Sequence, residues 1–119
     1  MKRRVEKVRE ILEKMYESDY KPTDKEIKLI SKETENYLTA FEPESDWVTV
    51  NTENVGLVSV DKQNIEVIKK IDRMTTEIYN RSVELGIDCF AGYEYFSTIL
   101  YFFELSNDIA FIVDENDFI

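Results

Sequence analysis

Carboxylates dominate the residues of this sequence that could do chemistry. The chain contains 25 aspartates and glutamates, one cysteine (Cys89) and no histidine. Without an imidazole, the Ser-His-Asp and Cys-His arrangements of nucleophilic catalysis are excluded. A lone cysteine also excludes an internal disulfide and a zinc site built from several thiolates. Its apolar and acidic neighbours Ile87, Asp88 and Phe90 lead us to expect a buried, unreactive thiol.

No arrangement of the carboxylates matches a catalytic or metal-binding motif. The segment Asp114-Glu115-Asn116-Asp117 lacks the twelve-residue spacing and central glycine of a calcium loop. Asp24, Glu26 and Lys28 fall inside a capped helix, not on the strand where metal-dependent nucleases carry acidic residues and a lysine. The three glycines are isolated, so no loop is suited to cradle a nucleotide phosphate. We therefore predict no catalytic residues, cofactor or metal; a small enzyme using carboxylates and tyrosines is the least favoured alternative.

Helical periodicity occupies the first third of the chain. Apolar residues recur every three or four positions over residues 2–17, which predicts an amphipathic helix. Thr23 and Glu26 then form a capping-box pattern, in which the threonine hydroxyl accepts from the glutamate amide and the glutamate reaches back. A second helix is predicted over residues 24–39.

Valine-rich stretches and a long apolar stripe characterise the middle of the chain. Residues 47–50 and 55–60 are rich in β-branched side chains around a polar turn, which predicts a β-hairpin. Isoleucines at helical spacing follow over residues 61–85, with Asp61 available as the N-cap and Gly86 as the stop signal. This stretch is predicted to be one long helix.

The final third allows two interpretations. Residues 93–105 are almost all β-forming, and with a turn at 106–108 and an apolar run at 109–113 they predict a second hairpin. A helix over 93–105 is the competing interpretation, because the apolar residues there also fit a period of 3.6. The hairpin gives the order ααββαββ: a single α+β domain over residues 1–119, with an antiparallel sheet of about four strands packed against two or three helices.

Charge is distributed unevenly along the sequence, whose formal net charge is −10. Residues 1–32 hold ten basic and seven acidic side chains, whereas residues 33–119 hold five basic and eighteen acidic ones. All five of those basic residues lie on the predicted long helix, so residues 33–61 and 82–119 contain no lysine or arginine. The β-rich part is expected to present a negative field, which serves either solubility or the attraction of a cationic partner.

Aromatic residues accompany the acidic ones. On a strand, Tyr93, Tyr95 and Tyr101 would share one face, which is either the covered side of a central strand or an exposed patch with aromatic anchors. Trp47 has the same two interpretations. If the surface binds a partner, the predicted contact residues are Glu42, Glu44, Asp46, Trp47, Tyr93, Glu94, Tyr95, Tyr101, Glu104, Asp108, Asp114, Glu115 and Asp117.

As a class, a small, histidine-free, strongly acidic single-domain chain resembles the immunity proteins and inhibitors that bacteria and phages use against basic nucleases. That resemblance implies a non-enzymatic protein that neutralises a basic partner, either a toxin or a nucleic-acid enzyme. Association would be fast and sensitive to salt. The alternative is a structural or regulatory subunit that forms a homo-oligomer through the tyrosine-rich strand or the long helix.

Neither nucleic acid nor a membrane is an expected partner. The basic residues within 2–9 are outweighed by the acidic remainder, which would repel phosphate over most of the surface. The charged face of the first predicted helix mixes both signs, and its apolar stripe is what core packing requires. Charged residues also stand where the apolar run of a secretion signal would lie, and a lone thiol suits a reducing compartment. We therefore expect a cytoplasmic protein.

Overall fold

A computed structural model describes residues 3–34, 46–87 and 89–111 of the chain. Within these ranges it contains four α-helices and three strands, and none of the helices is both long and apolar enough to cross a membrane. In chain order the elements are α1 (Arg4–Ser18), α2 (Asp24–Glu33), β1 (Val48–Thr52), β2 (Gly56–Val60), α3 (Ile65–Glu84), α4 (Gly92–Phe102) and β3 (Ile109–Phe111). The α+β class is confirmed, but the observed order is ααββααβ and the described sheet has three strands.

The two N-terminal helices form an antiparallel pair. The predicted capping box of α2 is confirmed, since the Thr23 N–H donates to Glu26 Oε1 (2.9 Å) and the Glu26 N–H donates to Thr23 Oγ1 (3.2 Å). An ion pair between Arg4 and Glu33 joins the start of α1 to the end of α2. Helix α2 is shorter than predicted because Thr34 already has extended backbone (φ −76°, ψ 127°). The rest of that predicted helix lies outside the described residues.

The predicted first hairpin is confirmed as β1 and β2, and β3 adds a third strand on the other side of β2. The strand order is β1-β2-β3, and both pairings are antiparallel. Val48 lies opposite Val60, and Val60 lies opposite Ile109. Strands β1 and β3 therefore run in the same direction and begin at the same end of the sheet.

The predicted long helix is confirmed as α3, with one difference at its start. Asp61 accepts a hydrogen bond from the Gln63 N–H (3.0 Å), as expected of a cap. The first turn, Lys62–Asn64, is nevertheless a 3₁₀ turn, and the α-helix begins at Ile65. The apolar stripe of α3 is buried in the core; its members are Ile68, Ile71, Met74 and Ile78.

Residues 93–105 do not form the predicted strand, and the competing helix is correct. Residues 95–100 of α4 are all buried, and a helix buried on every side lacks the polar face that makes its period visible in a sequence. The high content of β-forming residues then favoured the wrong element. Local bonds support the helix: Glu94 Oε1 accepts from the Ala91 N–H (3.0 Å), and Thr98 Oγ1 donates to the Glu94 carbonyl (2.9 Å).

Helix α4 contacts elements on several sides. The Tyr95 hydroxyl and Ser31 Oγ of α2 share a hydrogen bond of 2.9 Å. At the other end of α4, the Arg9 guanidinium carbon lies 5.9 Å from the centroid of the Phe102 ring. These contacts hold α4 in place, and they therefore also fix where the chain enters the helix at Gly92 and where it leaves after Phe102.

The hairpin turn is fastened to α3 by Asp72. The Asp72 carboxylate accepts from the backbone N–H groups of Glu53 (2.8 Å) and Asn54 (3.2 Å). The Asn54 side-chain amide donates to Asp72 Oδ1 (2.7 Å) and to Thr76 Oγ1 (3.0 Å). A Cβ added at Gly92 would lie 2.7 Å from Asn54 Oδ1, so the start of α4 also packs closely on this side chain. Asn54 therefore joins the sheet to two helices.

We expect Asn54→Ala to lower the free energy of unfolding by about 1–3 kcal/mol, because it removes the side-chain bonds from the turn to α3. Urea unfolding followed by circular dichroism measures the change. The matched control is Asn51→Ala, on an exposed position of β1, which should change stability by less than about 0.5 kcal/mol. Equal effects of the two substitutions would contradict the role given to Asn54.

Candidate functional site

Two of the predicted contact segments meet at one end of the sheet. Asp46 and Trp47 directly precede β1, and Asp108 directly precedes β3. Because β1 and β3 flank β2 in matching register, Trp47 and Asp108 occupy equivalent positions about 10 Å apart, two strand spacings. Asp61 follows the end of β2 between them. We call these four residues, Asp46, Trp47, Asp61 and Asp108, the acidic sheet end.

The carboxylates of the acidic sheet end are not neutralised by the rest of the described structure. Asp46 is exposed, and Trp47, Asp61 and Asp108 are half-buried. No lysine or arginine in residues 3–34, 46–87 and 89–111 forms an ion pair with the three aspartates. Lys62, next to Asp61 in sequence and exposed, offsets part of the negative field at this end. The remaining field attracts cationic groups.

Two cations of α3, Arg81 and Lys70, are engaged away from the sheet. Arg81 Nη2 lies 2.5 Å from Asp24 Oδ1 at the start of α2, and its Nη1 donates to the Pro22 carbonyl (2.7 Å). Lys70 Nζ lies 4.5 Å from the centroid of the Tyr16 ring on α1. These contacts tie α3 to the N-terminal helices, so the two cations do not fold over the sheet.

The connection from α4 to β3 carries Glu104 in an unusual conformation. Helix α4 ends in a Schellman motif, in which the Leu105 N–H donates to the Leu100 carbonyl (2.9 Å) and the Glu104 N–H donates to the Tyr101 carbonyl (3.1 Å). Glu104 has a positive φ of 58°, a region that costs an L-residue about 1–2 kcal/mol. Helix α3 ends in the same motif but has glycine, Gly86, in the left-handed position. The exposed Glu104 thus occupies a position that suits glycine better.

Three other described candidates, Tyr93, Glu94 and Tyr95, do not join the acidic sheet end, whereas the exposed Tyr101 lies at the end of α4 that leads to Glu104. Tyr93 and Glu94 lie in the first turn of α4, about 12 Å along the helix from Tyr101, and the Glu94 carboxylate caps that turn. Tyr95 is only 1% exposed, and its hydroxyl is bonded to Ser31, so it belongs to the core and not to a contact surface. Tyr93, Tyr95 and Tyr101 would share one face only on a strand, and the helix that forms instead separates them.

Five predicted contact residues lie outside the described residues and stay predictions: Glu42, Glu44, Asp114, Glu115 and Asp117. Cys89 is exposed, contrary to the expectation of a buried thiol. It lies in the loop between α3 and α4, and such connections run over the surface. Among the described residues, no three side chains of Cys, Asp or Glu cluster closely enough to hold a metal ion.

A second charged surface lies between α1 and α2. It is a groove of about 590 Å³, which we call the α1–α2 groove. The net charge of residues 1–32 hides this surface, because acidic residues, most of them outside the groove, cancel much of the positive charge. Basic residues spaced three and four apart share one face of a helix, and that spacing is the signal that would have revealed it. The basic residues lining the groove are Arg4, Lys7, Lys14, Lys25, Lys28 and Lys32.

Glu26 lies at one end of the α1–α2 groove and is held in its charged form. Burial alone would raise the pKa of Glu26, but hydrogen bonds from the Thr23 backbone, the Tyr20 hydroxyl (2.5 Å) and the Thr23 side chain, with the charge of Lys14, outweigh it. The pKa therefore lies below the ordinary value of 4.5. The same hydrogen bond from its hydroxyl to Glu26 raises the pKa of Tyr20.

Comparisons with protein-family models, curated proteins and solved structures give no significant match for this chain. The function proposed below is supported by the surfaces of the chain itself.

The lowered pKa of Glu26 predicts a pH-dependent contribution to stability. A depressed carboxyl pKa stabilises the fold above the unfolded-state pKa, and this contribution is lost as pH falls through the folded-state value. We expect Glu26→Gln, which keeps an acceptor for Thr23, to cost less than about 1 kcal/mol at pH 7, since the group is largely screened by solvent. Urea unfolding at a series of pH values should show the difference from wild type shrinking as the pH falls below the ordinary carboxyl pKa of 4.5. A difference that is constant over this range would contradict the assignment.

The positive φ of Glu104 predicts that Glu104→Gly stabilises the fold by about 0.5–1 kcal/mol, because relief of the left-handed strain exceeds the entropy cost of glycine. Gly86→Ala, the reverse change in the equivalent motif, should destabilise by a similar amount. Thermal unfolding by calorimetry measures both changes. Loss of stability in Glu104→Gly would show that the glutamate side chain contributes to folding instead of being strained.

Proposed function

We propose that this chain is a non-enzymatic binding protein that neutralises a basic protein partner, a toxin or a nucleic-acid enzyme, in the cytoplasm. The observation that supports this most is the acidic sheet end. There Asp46 and Asp108 lie at one end of a hydrogen-bonded sheet, beside Trp47 and without a described cationic partner. A surface of this composition is suited to receive the cationic site of another protein.

Electrostatics gives this surface a role in association. Carboxylates held close together repel one another and oppose folding, and an approaching cationic surface relieves that repulsion. The same field orients the partner before contact and raises the association rate. Trp47, which is half-buried and follows Asp46 in the sequence, supplies the kind of aromatic contact that carries much of the binding energy in protein interfaces. Exposed Glu104 lies close to this surface, because the Asp108 N–H donates to the carbonyl of the next residue, Leu105 (3.0 Å). The Glu104 backbone is strained, a feature found more often at functional sites than elsewhere.

A homo-oligomer formed through the long helix is the second candidate. Tyr79 and Val83 of α3 are both exposed and stand one turn apart on the same side of the helix. Such an apolar pair on a surface helix favours self-association. The tyrosine-rich strand, the other predicted contact for an oligomer, is not formed.

Charge reversal at the sheet tests the first proposal. At low salt, we expect the wild-type chain to capture a basic partner from an extract of its host. The double variant Asp46→Lys, Glu104→Lys should lose this partner, because repulsion replaces attraction at the contact. Quantitative mass spectrometry of the captured proteins measures the loss. The matched control, Glu77→Lys with Glu84→Lys in the C-terminal half of α3, makes the same change in net charge and should retain the partner. Circular dichroism checks that both variants fold.

Equal retention, or equal loss, by the two variants would contradict a contact at the sheet end. Salt distinguishes the two candidates, because the electrostatic complex should dissociate as ionic strength rises toward about 0.5 M. An oligomer held by apolar burial should persist there. A chain that sediments as a dimer at high salt, and as a monomer after Val83→Glu, would favour the homo-oligomer.

A further inference from the structure

The α1–α2 groove combines cationic rims with an apolar floor. Its floor contains Ile11 of α1 and Leu29 of α2, and Ile11 is almost fully buried while Leu29 is half-buried. Basic side chains stand on both helices. From Arg4 to Lys14 the α1 rim extends about 15 Å, three turns of helix. The groove therefore offers apolar contact along its centre and positive charge on either side.

Most of these rim cations are not used inside the described structure. Arg4 pairs with Glu33, and Lys14 lies 5.4 Å from the centroid of the Tyr20 ring. No described carboxylate forms an ion pair with the other four, which are Lys7, Lys25, Lys28 and Lys32. Like charges three and four residues apart on a helix destabilise it. The row on α2 is thus unfavourable for the isolated fold, and an anionic ligand would relieve it.

The lining of the groove distinguishes between anionic ligands. Single-stranded nucleic acid is bound on aromatic side chains that stack with bases, and no aromatic residue is among those that line this groove. Two carboxylates, Glu10 and Glu26, also line it, and the lowered pKa keeps Glu26 charged. Both repel any anionic group placed next to them, phosphate or carboxylate, so a ligand that fits must confine its negative charge to positions beside the lysines. An apolar floor, in contrast, matches a ligand that has its own apolar face.

We propose that the α1–α2 groove binds an acidic amphipathic helix of another protein. In this mode the helix lays its apolar face on Ile11 and Leu29, and its flanking carboxylates reach the lysines on the two rims. A helix that packs into the groove between two antiparallel helices completes a three-helix arrangement with ordinary packing distances of 8–10 Å. The groove is separate from the acidic sheet end, so this interaction is independent of the function proposed above.

The test uses a fluorescein-labelled synthetic peptide of about 15 residues, rich in glutamate and with leucine at helical i, i+3, i+4 and i+7 spacing. Fluorescence anisotropy at about 0.1 M salt measures its binding to the full chain. We expect the double variant Lys28→Glu, Lys32→Glu to bind at least about tenfold more weakly. The matched control, Lys62→Glu with Lys69→Glu, makes the same change in net charge away from the groove and should bind within about twofold of wild type. Lys7→Glu, on the opposite rim, should weaken binding as well.

Two further probes test what the groove recognises. The same peptide with each leucine replaced by serine keeps the charge but loses the apolar face, and it should bind at least about tenfold more weakly than the leucine peptide. A single-stranded thymidine oligonucleotide should also bind more weakly. Equal binding of the serine peptide or tighter binding of the oligonucleotide would overturn the proposal, as would no binding of the leucine peptide. An equal loss of binding in the control variant would show that only overall charge matters and would overturn it too.

Discussion

The burial of the central part of α4, Tyr95 to Leu100, is the constraint on which the arrangement of this protein depends. Tyr95 bonds to α2, and Phe102 lies beneath Arg9 of α1. The start of the helix packs against Asn54 in the hairpin turn. Because α4 is enclosed, its end must return the chain to the surface within a few residues, and the Schellman motif at Glu104 makes that return. The chain then enters β3 at the same end of the sheet where β1 begins, which is why the acidic sheet end exists.

The fold separates charge in space more sharply than the sequence does. Lysines and arginines of α1 and α2 surround the α1–α2 groove, while those of α3 are used partly to fasten the helices together, as Arg81 does with Asp24. The acidic sheet end keeps its negative field. A net charge of −10 therefore describes neither surface, and interactions at both should weaken as salt rises.

The helices predicted correctly are those with one face exposed to solvent. Helix α1 and helix α3 each alternate between buried and exposed residues with a recognisable period, and the Thr23–Glu26 capping box marks the start of α2. The β1-β2 hairpin is predicted by its β-branched residues and polar turn instead, because Val58, Ser59 and Val60 of β2 are buried without alternation. Helix α4 shows no such period, because the six consecutive residues from Tyr95 to Leu100 are all buried and leave no exposed polar face.

The sequence predicts individual residues of the candidate site but not their arrangement in space. Asp46, Trp47 and Asp108 were identified from charge and aromatic content, yet their meeting depends on β1 and β3 pairing with opposite edges of β2, which is a nonlocal choice. The sequence makes Tyr95 a contact residue only if residues 93–105 form a strand with an exposed tyrosine face, and the buried helix α4 removes that premise.

Hydrogen exchange of the backbone amides, with and without the captured basic partner, tests the central claim most directly. The account predicts that the partner slows exchange in the segments that surround the acidic sheet end, residues 46–48 and 104–109, while the exposed face of α1 is unchanged. Protection confined to α1 and α2, with no change at the sheet, would contradict it.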